Sequence, residues 1–253
     1  MGTARSVAAC ICAALLVLAS SACADQAEEV VQAPQMPALG LMTSLPIYWP
    51  SQSDISAAIS PDAEAPWVRR LLEERYELTP LDTLAGQGAV TPSAALSAVD
   101  YLILAQPAPL PPADYVALDE WVKAGGQVLI FADPVLTQHS QFGLGDKRRP
   151  QDIAMLGPIL SRWGLELRVG PDTSGEALWS SVAIPVEAPG VLAAHGSEFA
   201  DCEIQAAGLV AQCQVGEGRA TVIADAAILD TELADEARIE ALGSMLQRTF
   251  GRD

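Results

Sequence analysis

Histidine, aromatic residues and basic charge are all scarce in this chain. Its 253 residues include two histidines, 5% aromatic side chains, and 14 Lys and Arg against 32 Asp and Glu. Neither His139 nor His195 stands at ligand spacing from a cysteine, which argues against a zinc site. A formal charge of -18 excludes nucleic acid held by the protein's general field, because the phosphate backbone would be repelled. An anionic cytoplasmic leaflet is disfavoured for the same reason. No segment after residue 24 is long and apolar enough to cross a bilayer, and internal repeats and low-complexity tracts are absent. A Gly-x-Ser-x-Gly elbow is missing as well, so no complete catalytic motif is present. The acidity itself reads as a solvated, soluble surface.

What is present at the start is a leader. Arg5 is the only charge before Asp25, Val7 to Ala19 is an apolar run, and Ser20-Ser21-Ala22-Cys23-Ala24 supplies small residues. That order is a secretory signal peptide over residues 1–24, with an apolar run too short for a comfortable span. Two processing routes fit. Ala22-Cys23-Ala24 satisfies the small-x-small rule of ordinary signal peptidase, giving a soluble periplasmic protein. Ser20-Ser21-Ala22-Cys23 also resembles a bacterial lipobox with Cys23 as the lipidated residue, although Ser20 stands where that pattern prefers Leu. Residues 25–37 (DQAEEVVQAPQMP) are polar and acidic with two prolines, and read as a tether to the domain at 38–253.

Cys10 and Cys12 leave with the leader, so Cys202 and Cys213 are the cysteines of the domain itself. Between them lies EIQAAGLVAQ, with Ala207-Gly208 at its centre. A two-residue turn there places Gln205 opposite Val210 and Cys202 opposite Cys213. Facing Cα atoms in an antiparallel pair are roughly 4.5–5.5 Å apart, within disulfide range. In an exported protein this spacing predicts a Cys202–Cys213 disulfide, a local staple contributing about 2–3 kcal/mol.

The most informative stretch is DYLILAQPAPLPPADYVALDEWVKAGGQVLIFADP, Asp100 to Pro134. Tyr101–Ala105 and Val128–Ala132 are continuous apolar runs, as expected of parallel strands covered on both faces. Between them Pro111–Lys123 carries a helical apolar stripe that Gly125-Gly126 stops. This is one βαβ unit, and its second strand runs into Asp133-Pro134, where open α/β sheets keep ligand sites. Elsewhere the patterns predict a strand over Ala38–Ile47, a helix from Pro66 to Glu73 and a short edge strand over Tyr76–Leu81. A helix over Ile153–Trp163 kinked at Pro158, a strand at Leu165–Val169, a strand at Arg219–Ala224 and a helix over Glu232–Phe250 complete the pattern. Residues 171–216 read as a β-rich insertion. The expected fold is α/β: a doubly wound, mostly parallel, flavodoxin-like sheet with a small antiparallel β appendage.

This crossover unit resembles the glutamine-amidotransferase-like domains of gliding-motility-type auxiliary components of ABC transporters. The resemblance rests on the leading Asp100, the turn with Pro107, Pro109, Pro111 and Pro112, the Gly-Gly stop and the strand closing in Asp133-Pro134. Ser44-Leu45-Pro46 and Leu81-Asp82 fit the same layout. It implies a class I glutamine-amidotransferase-like sheet in a membrane-anchored, extracytoplasmic accessory or binding component, with transporter subunits or another envelope protein as partners. The amidotransferase nucleophile would sit on a Gly-x-Cys-x-Gly turn, and no cysteine lies at any predicted strand-to-helix turn. Amidotransferase chemistry is therefore not expected, and no cofactor is implied. The C-terminal membrane helix usual in that family is also missing here.

Candidate ligand- or partner-binding residues cluster at the predicted carboxyl ends of the strands. Asp133 and Asp225 each end a core strand; they could bind a ligand, or simply cap the turns that follow. The loop Gln138–Asp152 holds His139 and the tripeptide Lys147-Arg148-Arg149. Those cations could receive an anionic ligand, a lipid headgroup or an acidic partner surface, or pair with the chain's own carboxylates and pin the loop. Tyr48 and Trp49 could stack on a sugar or peptide, or close the end of the core. A hydrolase using Asp133 or His139 as base is the enzymatic alternative, and requires a deep pocket where they converge. A purely structural envelope protein instead requires the loop to pack down and leave no cleft.

Overall fold

A computed structural model describes residues 36–50 and 64–251. The expected signal peptide, Cys23 and the expected tether up to residue 35 lie outside the described residues. The fold is mixed α/β: a seven-stranded, mostly parallel central sheet with two separate two-stranded antiparallel sheets. Its parallel strands are β1 (Ala38–Thr43), β2 (Glu77–Pro80), β3 (Tyr101–Ala105), β4 (Gln127–Phe131) and β11 (Gly218–Ile223). They lie in the order β2-β1-β3-β4-β11.

Helices α1 (Trp67–Glu73), α2 (Ala94–Ser97) and α3 (Pro112–Lys123) connect the first four strands, and α4 (Gly157–Arg162) and α5 (Glu236–Phe250) follow β4 and β11. α1 packs on α5, and α3 packs on α4. These two pairs cover the sheet faces, as the unbroken burial of β3 requires. The crossover unit forms as its sequence predicts, and Gly-Gly is what makes it close. Gly125 sits at φ +110°, and a Cβ on Gly126 would meet the Trp121 ring at 2.4 Å.

Local chemistry moves several boundaries. β1 stops at Thr43, short of the predicted Ile47, because the Thr43 hydroxyl accepts from the Leu45 amide at 2.9 Å and turns the chain. α4 starts at Gly157 and has no kink: Pro158 lacks an N–H and sits in the first turn, where none is needed. α5 starts at Glu236, four residues later than predicted, because Asp235 caps it by accepting from the Arg238 amide at 2.8 Å.

Residues 171–216 divide between two settings. β5 (Leu165–Arg168) pairs with β8 (Val191–Ala194), and β6 (Ser174–Trp179) pairs with β7 (Val182–Glu187) as the small sheets. The cysteine hairpin, β9 (Asp201–Gln205) and β10 (Val210–Val215), is no appendage; β10 pairs antiparallel with β11 and extends the central sheet. β11 has a bare edge beyond β4, and its hydrogen-bonding groups need a partner there. Cys202 faces Cys213 in register and the two form a disulfide, with Cα atoms 4.0 Å apart. The turn is the expected one: Ala207 and Gly208 both have positive φ, and the Leu209 amide donates to the Ala206 carbonyl at 3.0 Å.

Beneath the sheet, α3 and α4 are clamped by a buried carboxylate. Asp119 accepts from Lys123 Nζ at 2.6 Å, Arg162 Nε at 2.7 Å and Trp163 Nε1 at 3.0 Å, while Arg162 lies 3.9 Å over the Phe199 ring. Burial alone would raise the Asp119 pKa, yet these three donors together hold it below the ordinary aspartate range. Asp119→Ala leaves the buried indole N–H without an acceptor. Chemical denaturation should show a loss of about 2–3 kcal/mol in the variant.

Candidate functional site

The sheet reverses its winding between β1 and β3, so the crevice open to a ligand lies beyond the carboxyl ends of those strands. Gln106, the residue after β3, organises this rim. It is fully buried and adopts φ +45°, a left-handed conformation that costs a non-glycine residue about 1–2 kcal/mol. Hydrogen bonds hold it there. Its amide Nε2 donates to the Asp133 and Gln151 carbonyls, both at 2.9 Å, and its Oε1 accepts from the Asp133 amide at 2.9 Å. The Ser44 hydroxyl donates to the Gln106 carbonyl and accepts from the Gln151 amide at 2.8 Å.

These bonds place Gln151 against the ends of β1, β3 and β4. The loop between β4 and α4 is zipped further by Leu136 N–H donating to Asp152 O at 3.0 Å, and by Ala154 N–H donating to Asp133 O at 2.8 Å. Its basic residues serve the same end. Arg149 pairs with Asp152 at 2.6 Å and donates to the Phe142 carbonyl at 2.9 Å, while Arg148 pairs with Asp146 at 2.7 Å and lies 4.3 Å over the Phe142 ring. Hydrogen bonds from Arg148 hold the Asp146 pKa down to about 2. Lys147 and His139 are exposed.

Asp133 and Asp225 share the rim but not with solvent, since each is only 1% exposed. Asp133 accepts from the Val135 amide at 2.8 Å and the Ala226 amide at 3.3 Å. Asp225 accepts from the Ala227 amide at 2.5 Å and the Glu187 amide at 2.9 Å. Each carboxylate therefore caps its own turn and also ties a second segment to the strand end. Burial without a cation raises both pKa values. For Asp225, burial is the largest cause and lifts the pKa to about 7, with Asp133 and Glu187 adding repulsion against the two amide donors. Among the described residues no group of three or more His, Cys, Asp and Glu is placed to hold a metal ion.

Tyr48 and Trp49 stand apart from this network. Tyr48 is half-buried and Trp49 is 52% exposed, packed edge to face with centroids 5.0 Å apart and with Arg69 stacked 4.3 Å over Tyr48. Sequence patterns pointed to Asp133 but not to Gln106, Ser44 or Gln151 as rim residues. The available signal was a polar residue directly after a wholly apolar strand, and Gln106 shares it with Asp133.

A family model described as an ABC-type uncharacterized transport system matches residues 37–173, more than half of the chain, and the chain belongs to this family. The match spans β1 through β5, including Ser44, Gln106, Asp133 and the Gln151 loop but not Asp225. No curated protein sequence matches. Among solved structures, the mmIFT52 N-terminal domain is 12% identical with a TM-score of 0.53, covering 85% of this chain and 98% of that one. Cytoplasmic protein STM1381 from Salmonella typhimurium LT2 is 12% identical, with a TM-score of 0.48 over 85% of this chain and 99% of that one. The exo-beta-1,4-mannosidase Op5Man5 from Opitutaceae bacterium strain TAV5 is 16% identical, with a TM-score of 0.48 over 85% of this chain. This chain spans about a third of the mannosidase, 36% of its length. At these identities the likeness to the mmIFT52 domain is one of fold alone.

The raised Asp225 pKa has a definite consequence for stability. The unfolded carboxyl titrates near 3.8 and the folded one near 7, so between these values the folded state binds a proton that the unfolded state lacks. Stability should rise as pH falls from about 8 toward 5, by an amount on the order of a few kcal/mol. Denaturant titrations across that range should show the slope in the native protein and a flattened one in Asp225→Asn.

Proposed function

We propose that this chain is a non-catalytic, extracytoplasmic accessory or binding domain of an ABC-type transport system. The observation that carries this reading is a loop bonded across the strand ends in a member of a transport-system family. Gln151 is tied to Gln106 and Ser44 at the end of the sheet where an open α/β enzyme holds its substrate, and the carboxylates of Asp133 and Asp225 accept from backbone amides. Asp133 is sealed while His139 is exposed, which does not favour a hydrolase built on the two. The strand order 2-1-3-4 followed by β11 supports the finer description of the sheet as flavodoxin-like, of the glutamine-amidotransferase-like type.

On this reading the rim works as a rigid face toward a protein partner. Trp49 and Lys147 are exposed on segments beside it, and the partners are membrane subunits of the transporter or another envelope protein. The leader delivers the chain to the periplasm, where Cys23 carries a lipid anchor. Two measurements test these statements. Tagged protein from detergent-solubilised envelopes of the native host should recover transporter subunits, and Trp49→Ala with Lys147→Ala should reduce that recovery several-fold. Absence of transporter subunits from the native-protein sample would overturn the accessory role. Cys23→Ser should move the protein from the membrane fraction to the soluble periplasmic fraction; retention in membranes would overturn the anchor.

A further inference from the structure

Along one face of the sheet a trough follows α5. Two adjoining cavities of about 740 and 1030 Å³ share Ser181, Val182, Glu240 and Ser244, and lie between α5 and the β6–β7 hairpin. Lining residues extend along the helix from Glu236 to Gly251, a rise of roughly 22 Å at 1.5 Å per residue. The helix runs back toward the amino ends of the strands. Phe250 accordingly stacks on Tyr101, the first residue of β3, with centroids 4.7 Å apart, and Arg219 is the second residue of β11.

Charge is divided along this trough. Arg75, Arg219 and Arg248 line its larger part together with Glu236 and Glu240 from the first turns of the helix. Glu176, Asp235 and Glu240 line the smaller one together with Arg238, which is ion-paired with Asp235 at 3.7 Å. Most cations of the domain are held close by an acid, as Arg149 and Arg162 are by Asp152 and Asp119. Arg219 and Arg248 are different. Among the described residues neither has a carboxylate within 4.0 Å: Arg219 donates to the Gln127 side chain at 3.3 Å, and Arg248 lies 5.4 Å from the Trp179 ring. Arg75 donates to the Leu71 carbonyl at 3.1 Å, meets its neighbour Glu74 at 3.5 Å, and reaches across α5 at Gly243. In a chain with 32 acids and 14 bases, cations left unpaired in one groove run against the composition.

We propose that this trough binds an extended peptide segment of a partner protein. Acidic residues of the segment lie over Arg75, Arg219 and Arg248, and its basic end lies toward Glu176, Asp235 and Glu240. The length accommodates about six or seven extended residues at roughly 3.3 Å each. The acidic end repels a uniformly anionic ligand, and the net charge of -18 repels an anionic membrane, so a bipolar peptide is the complementary occupant. The site is separate from the carboxyl-end rim and does not depend on the transport reading.

The test is calorimetric titration of the full domain, at low ionic strength, with a blocked heptapeptide of three glutamates, a Gly-Ala spacer and two lysines. Binding is expected, weakened by salt, and reduced about tenfold by Arg219→Gln with Arg248→Gln. Both arginines are exposed, so an unchanged thermal midpoint verifies the variant's fold. If that variant does not fold, Glu176→Gln with Glu240→Gln must weaken the same peptide from the other end. No binding by the native protein, or equal binding by the folded variant, overturns the proposal. Equally tight binding of an all-glutamate heptapeptide or of pyrophosphate also overturns it, by assigning a simple anion site.

Discussion

The side-chain amide of Gln106 is the constraint on which the carboxyl rim depends. Its two polar atoms engage both sides of the Asp133 peptide, so the ends of β3 and β4 are joined by a side chain beyond the last rung of their ladder. Its second donated bond, to Gln151, brings the long loop onto those ends. A buried amide with three satisfied bonds offsets the left-handed backbone it requires, whereas an unsatisfied one would cost more than the strain itself. The docking of the loop against the strand ends follows from that arrangement.

Tying the strand ends with backbone amides has an electrostatic price. Among the described residues Asp133 and Asp225 have no ion-paired cation, and their carboxylates accept from backbone amide N–H groups. The domain's guanidinium groups are deployed elsewhere. Arg162 and Lys123 neutralise Asp119 between α3 and α4, and Arg148 and Arg149 brace the loop against its own acids. An acidic protein with few bases cannot neutralise every buried carboxylate. Here the pair at the rim is left to bear it, and a raised pKa is the physical record.

The crossover unit was legible because its signals are local and agree with one another. Tyr101–Ala105 is apolar throughout, Pro112 opens the helix, and Gly125-Gly126 is demanded by one positive φ and one ring contact. The cysteine hairpin was legible for a similar reason, since turn and register are both set within a sequence separation of 11, from Cys202 to Cys213. Helix starts were less so, because Pro158 and Asp235 act through the first turn, whose position an apolar stripe does not define. The rim was half legible: strand-end polar residues announce themselves, but their partners do not.

Sequence alone determined the acidic composition, the βαβ unit and the disulfide register, because the last two depend on residues near one another in the chain. Tertiary structure alone decided that the cysteine hairpin completes the central sheet, and that Gln106 meets Asp133 and Gln151 across separations of 27 and 45 residues. It also decided that Arg148 and Arg149 brace the loop, while Arg219 meets Gln127 and Arg248 meets Trp179 with no carboxylate within 4.0 Å of either among the described residues. The physical reason is that a side chain's partner is chosen by where folding brings it, and periodicity in sequence records only which face is buried.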